Sequence, residues 1–123
     1  MLDPQPLKGR TAIVTGSGQN IGEAIVKLFA NAGANVVVNG GSSQEKVDKV
    51  VDDIRADGGN AIGVMADVGD ADAVAAMVNQ AAETFGTVDI AISNVSIRKK
   101  QPVEDISVKE WQETINTNLN SAF

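Results

Sequence analysis

The stretch Thr15-Gly16-Ser17-Gly18-Gln19-Asn20-Ile21-Gly22 constrains this chain more than any other. It follows the apolar run Ala12-Ile13-Val14 and leads into a helical pattern starting at Ile21, so it reads as a strand, a glycine turn and a helix N-terminus. Gly16 and Gly18 let the backbone turn sharply and come close to a ligand. The unpaired N–H groups of a helix's first turn, aided by the helix dipole, attract a pyrophosphate. A nucleotide cofactor is the first functional expectation.

Downstream, apolar strand patterns alternate with helical ones in the βαβ rhythm. Thr11 to Thr15 is the first strand, and Ala24, Ile25, Leu28, Phe29 and Ala32 form the stripe of a helix ended by Gly33. Val36-Val37-Val38 is a continuous β-branched strand, as expected for one covered on both faces. Ser42 with Glu45 reads as a capping box for a helix with the stripe Val47, Val50, Val51 and Ile54, closed by Gly58-Gly59. A third strand runs from Ala61 to Met65. The next helix carries Val74, Met77, Val78, Ala81, Ala82 and Phe85 as core before Gly86.

Val88 to Ser93 is the fourth strand. After Arg98-Lys99-Lys100 and Pro102, Ser107 and Glu110 form a second capping box, and the stripe Trp111, Ile115, Leu119 and Ala122 keeps its helical phase to Phe123. The expected fold is α/β: the N-terminal half of a Rossmann-like doubly wound parallel sheet, strand order 3-2-1-4, with its last helix cut off at the chain end. Residues 1–123 then form one dinucleotide-binding domain whose catalytic half lies elsewhere. Ligands in such sheets sit beyond the carboxyl ends of the strands, here between strands 1 and 4.

Composition narrows the function classes. In 123 residues, 43% hydrophobic content supports a core, and a net charge of -6 argues against a nucleic-acid partner. The first residues, Met1 to Gly9, include Asp3 and two prolines and no long apolar stretch, so neither a signal peptide nor a membrane partner is expected, and the location is taken as cytoplasmic. With no cysteine and no histidine, disulfides, thiol chemistry and the usual metal sites are not expected. There is also no tyrosine.

The glycine turn resembles the TGxxxGxG signature of the short-chain dehydrogenase/reductase family, with Asn20 where that family's middle glycine usually stands. Asn tolerates positive φ, so the turn can survive the change. The resemblance extends from Leu7 to Phe123. Asp67-Val68 looks like the family's adenine-contacting pair, with a loop-stabilising Asp as the other reading. Ser93-Asn94-Val95-Ser96 falls where the family shows NNAG, on the cofactor's ribose side, and matches it at Asn94. Asn118, after Trp111, resembles the catalytic Asn that holds a water in the family's proton relay; a solvent-facing Asn118 is the alternative, since Asn116 and Asn120 flank it.

The resemblance implies an NAD(P)-dependent oxidoreductase that passes hydride between the nicotinamide and a small-molecule carbonyl or alcohol substrate, 3-oxoacyl reductase-like or sugar/alcohol dehydrogenase-like. The family's Tyr, Lys and Ser come later in its fold, so the residues here are expected to be the cofactor-binding half and inactive alone. A homo-oligomer, usually a tetramer, is implied in the same way. The alternatives are a non-catalytic nucleotide-binding module or a subunit of a split protein, and a methyltransferase using S-adenosylmethionine.

Asn39 stands at the end of strand 2, where an NAD enzyme commonly places Asp or Glu on the ribose 2′-OH. Without that carboxylate a 2′-phosphate is not repelled, and Ser42, Ser43 and the following helix N-terminus can receive it. The expected cofactor is NADP, with NAD as the alternative. Gly16, Ser17, Gly18, Asn20, Ile21, Gly22, Asn39, Ser42, Asp67, Val68, Asn94, Val95 and Ser96 make up the candidate cofactor site.

Overall fold

A computed structural model describes residues 4–123; Met1 and Asp3 of the leader reading lie outside the described residues. The order of elements is β1 (Thr11–Val14), α1 (Asn20–Asn31), β2 (Asn35–Gly40), α2 (Gln44–Ala56), β3 (Asn60–Met65), α3 (Ala71–Phe85), β4 (Ile90–Ile92) and α4 (Val108–Asn118). Short 3-10 turns at Val103–Asp105 and Asn120–Ala122 flank α4. The strands are parallel in the order β3-β2-β1-β4, as the alternating pattern predicts.

Alternation along the strands sorts side chains between two cores. Ala12, Val14, Val36 and Val38 face α1 and α2, while Ile13 and Val37 join Met77 and Ala81 of α3 on the other face. β4 is shorter than the expected Val88 to Ser93 and pairs only with β1, from Ala12↔Ile90 to Val14↔Ile92. Asp89 precedes it and accepts from the N–H of Thr11 at 2.8 Å, fixing the start of β1.

The first three helices depart from the periodic reading in the face of α1, the cap of α2 and the face of α3. α1 buries Gly22, Val26 and Ala30, while Leu28 is 65% exposed and Ala24 is also exposed. The helix is rolled so that its smallest residue, Gly22, sits against the turn after β1. α2 buries the stripe Val47, Val50, Val51 and Ile54 as expected, but its cap is Ser43, not Ser42: the Ser43 hydroxyl accepts from Lys46 N at 3.4 Å. α3 is capped by Asp70 and ends at Gly86 in the left-handed conformation, with Met77 and Ala81 buried but Val78 and Ala82 exposed.

The Ser107–Glu110 capping box of α4 forms in both directions, at 3.1 and 3.0 Å. The expected apolar stripe is not covered, however: no α4 residue is buried, and Trp111 and Leu119 are 60% and 65% exposed. The α-helix also stops at Asn118, and the phase continues to Ala122 as a 3-10 turn.

Candidate functional site

At the carboxyl end of β1 the chain turns with Gly16 at φ 63°. Asn20 follows at φ 52°, the one described non-glycine residue with positive φ, so the left-handed position that Asn was expected to tolerate is the one it occupies. A Cβ at Gly22 would sit inside contact distance of Gly16 O and 2.7 Å from Asn94 Nδ2, so only glycine fits there. Gly18 is different. Its φ is not positive and a Cβ there would meet Val47 at an ordinary 3.4 Å, so the sharp turn is made at Gly16 and Asn20.

The turn delivers an open helix end. α2, α3 and α4 each have a side-chain cap, from Ser43, Asp70 and Ser107, whereas Gln19 at the head of α1 makes none. The first-turn N–H groups of Asn20, Ile21 and Gly22 therefore have neither intrahelical partners nor a side-chain cap, and the dipole adds positive potential there. Ile21 itself is 71% exposed.

Ser17 and Asn39 lie beneath this turn, both fully buried. The Ser17 hydroxyl donates to Val14 O at 2.7 Å and accepts from Asn39 N at 3.0 Å. Asn39 Oδ1 accepts from Gly16 N at 3.0 Å, and its Nδ2 donates to Val64 O and Ala66 O at 3.1 and 3.2 Å. The sequence places Asn39 at the ribose position of strand 2, but its side chain is spent joining β2 to the glycine turn and to β3. It shares the sheet face of Val37 and lines the larger cleft together with Gly40, Gly41 and Ser42. The Gly40-Gly41 pair was the available sequence signal.

Two adjoining clefts open at this sheet end. The larger, about 390 Å³, lies between the glycine turn and the β2–α2 loop and is lined by Gly18, Ser42, Lys46, Asp67, Val68 and Ile97, among others. The smaller, about 260 Å³, lies between the head of α1 and the segment after β4, with Asn20, Ile21, Gly22, Asn94, Val95 and Ser96 on its walls. Together they contain every residue of the candidate cofactor set except the buried Ser17. Asp67 caps its own loop, accepting from Gly69 N at 2.8 Å, and remains exposed at the cleft wall.

Asn94 ties the two strand ends together. Its backbone N–H donates to Thr15 Oγ1 at 3.0 Å, and its side chain donates to the carbonyls of Thr15 and Gly16 at 3.0 and 3.3 Å. Asn118 is exposed, lies outside the lining of both clefts and exchanges two hydrogen bonds with the backbone of Ile97 at 2.7 and 2.8 Å. Lys99 pairs with Glu110 at 2.6 Å, which leaves Arg98 and Lys100 exposed on the same loop. Lys99 and the Ser107 backbone and hydroxyl together hold the Glu110 carboxyl down to about 2.

Two contributors escape sequence reading. Thr15 closes the Asn94 network, and Lys46 reaches from α2 to hydrogen-bond Gln19 across the larger cleft. Among the described residues no cluster of acidic side chains suits a metal ion, and no helix is long and apolar enough to cross a membrane.

The short chain dehydrogenase family model matches residues 10–123. The versicolorin reductase stcU of Emericella nidulans is 42% identical over 98% of this chain and 46% of its own length. The 3-oxoacyl-[acyl-carrier-protein] reductase FabG of Staphylococcus aureus is 36% identical over 93% of this chain and 46% of its own. Among solved structures, a short chain dehydrogenase from Burkholderia cenocepacia in complex with NADP is 36% identical with a TM-score of 0.90, over 94% of this chain and 47% of that one. The chain thus spans about half the length of the curated relatives it matches.

Proposed function

The chain belongs to the short-chain dehydrogenase family, and from that membership we propose that it forms the nicotinamide-dinucleotide-binding half of an oxidoreductase acting on a small-molecule carbonyl or alcohol. The observation that carries this reading is the uncapped head of α1, opening on both clefts at the end of a turn where Gly22 leaves no room for a side chain.

In this reading the N–H groups of Asn20, Ile21 and Gly22 hold the pyrophosphate. Asp67 accepts from the adenine amine, with Val68 beside it, and Asn94, Val95 and Ser96 line the ribose and nicotinamide side. Ser42 stands at the adenosine ribose, while Ser17 and Asn39 act from below by fixing the turn. When bound, the dinucleotide supplies or accepts the hydride. Asn118 acts as a positioning residue through Ile97.

NADP is the proposed cofactor, since no carboxylate from β2 or the loop after it lines the larger cleft. The 3-oxoacyl-[acyl-carrier-protein] reductase among the relatives supports a 3-oxoacyl-like substrate class, with a sugar/alcohol class as the other reading. The proton donor of the complete enzyme is proposed to come from outside these residues, which include no tyrosine. Residues 1–123 constitute one incomplete dinucleotide-binding domain of a cytoplasmic homo-oligomer, a tetramer by family likeness. Exposed Trp111 on α4 and Leu119 just after it support a covering partner.

Calorimetric titration of the full-length protein with NADPH, NADH and S-adenosylmethionine tests the reading. Saturable binding of a nicotinamide dinucleotide is expected. Binding of S-adenosylmethionine alone, or of none of the three, overturns it.

A further inference from the structure

Lys46 sits in the first turn of α2, where the helix dipole disfavours a cation. It lines the larger cleft, and among the described residues its charge has no carboxylate partner. The neighbouring helix cations differ: Lys27 bonds both Glu23 and Asp53, and Lys49 bonds Asp53. The acceptor for the Lys46 ammonium is instead the neutral amide oxygen of Gln19, at the head of α1 on the opposite cleft wall. Gln19 makes no side-chain cap to its own helix. A cation placed against its helix dipole, facing a cleft and held by a weak neutral acceptor, is poised for an anion.

The space for that anion is present. A Cβ at Gly41 would meet nothing within 4 Å, and the Ser42 side chain lines the same wall. We propose that Lys46 is the specificity-determining residue for the ribose 2′-phosphate of NADP, and that Gln19 is its resting latch, exchanged for the phosphate on binding. The inference rests on the dinucleotide reading above and adds to it a named selector that lies in a helix rather than in the glycine turn or the β2–α2 loop. A charge-assisted bond to phosphate is stronger than the neutral one to Gln19, so the exchange favours the phosphorylated dinucleotide.

The test is calorimetric binding of NADPH and NADH to the full-length protein and its variants. Lys46→Met keeps the apolar stem and is expected to weaken NADPH about tenfold to a hundredfold, with NADH changed less than about twofold. Lys46→Arg restores most of the loss. Gln19→Leu, which removes the latch, leaves NADPH affinity unchanged or higher, and Gly41→Asp weakens NADPH while sparing NADH. The wild-type preference for NADPH also declines with salt, because the contact is solvent-exposed.

Equal loss of both dinucleotides in Lys46→Met, or no loss of either, overturns the selector while the dinucleotide reading stands. Loss of NADPH in Gln19→Leu with none in Lys46→Met assigns the phosphate to Gln19 and also overturns it. Binding of neither dinucleotide to the wild type removes the reading and the selector together.

Discussion

Asn118 grips the peptide of Ile97 at both ends, accepting from its N–H at 2.7 Å and donating to its carbonyl at 2.8 Å. The pair spans 21 residues of sequence and joins the last turn of α4 to the segment that forms a wall of the larger cleft. α4 has no buried residue, so polar contacts of this kind, together with Asn116 on Gly69 O at 2.9 Å and Lys99 on Glu110, hold it in place.

Asn118→Ala should release that wall. In the complete enzyme, turnover is expected to fall about tenfold to a hundredfold, as small misplacements at a reaction site do. Thermal stability should change by no more than a few degrees, because the freed Ile97 groups are reached by water. Steady-state kinetics beside a melting curve would separate the two effects; a large fall in stability with unchanged turnover of the folded fraction would contradict the assignment.

Asn39→Asp should not convert the protein to NADH use. The substituted carboxylate would be buried, would lose both donors to Val64 O and Ala66 O, and would face those carbonyls with negative charge. A loss of about 3 kcal/mol or more in denaturant unfolding is expected, with no gain in NADH affinity. Improved NADH binding in a stable variant would show that Asn39 faces the cofactor after all.

Gly22→Ala and Gly18→Ala should differ although both glycines belong to one motif. In Gly22→Ala the added methyl would press on Gly16 O and Asn94, an overpacking worth about 1–3 kcal/mol that also shifts the cofactor turn. At Gly18 the methyl meets ordinary contact distance, so stability should change by less than about 1 kcal/mol. Urea melts of both variants provide the comparison.

Glu110 should contribute stability at neutral pH that acid removes. Its carboxyl is held at about 2 against an ordinary 4.5, so the stabilisation is fully present above 4.5 and is lost as the pH falls toward 2. Glu110→Gln should therefore show a shallower fall of melting temperature across that interval, while Lys99→Met should move the carboxyl back up. Parallel acid limbs for wild type and Glu110→Gln would argue against the Lys99–Glu110 contact.

Features governed by neighbouring residues were legible in the sequence. The apolar strand runs, the Ser107–Glu110 box and the left-handed tolerance of Asn20 each depend on a few adjacent positions, and each appears in the structure. Features set by rotation were less legible. Of the expected α1 stripe, Ile25 and Phe29 pack against the core while Ala24 and Leu28 are exposed, and the close approach at Gly22 turns the buried face toward Val26 and Ala30. For α2, the spacing to Glu45 pointed to Ser42 as the cap, but the local backbone chose Ser43.

By itself the sequence determined the alternation of strands and helices, the glycine turn after the first strand and the family to which these belong. Tertiary structure decided where the polar side chains of the site point. Asn39 finds Gly16 at a separation of 23 residues, and Asn94 finds Thr15 at 79, partners that exist only once β1 has paired with β2 and β4. Periodicity reports which residues avoid water, because that preference is local. It does not report which buried amide will satisfy which distant carbonyl, because the register and close packing of the whole sheet make that choice.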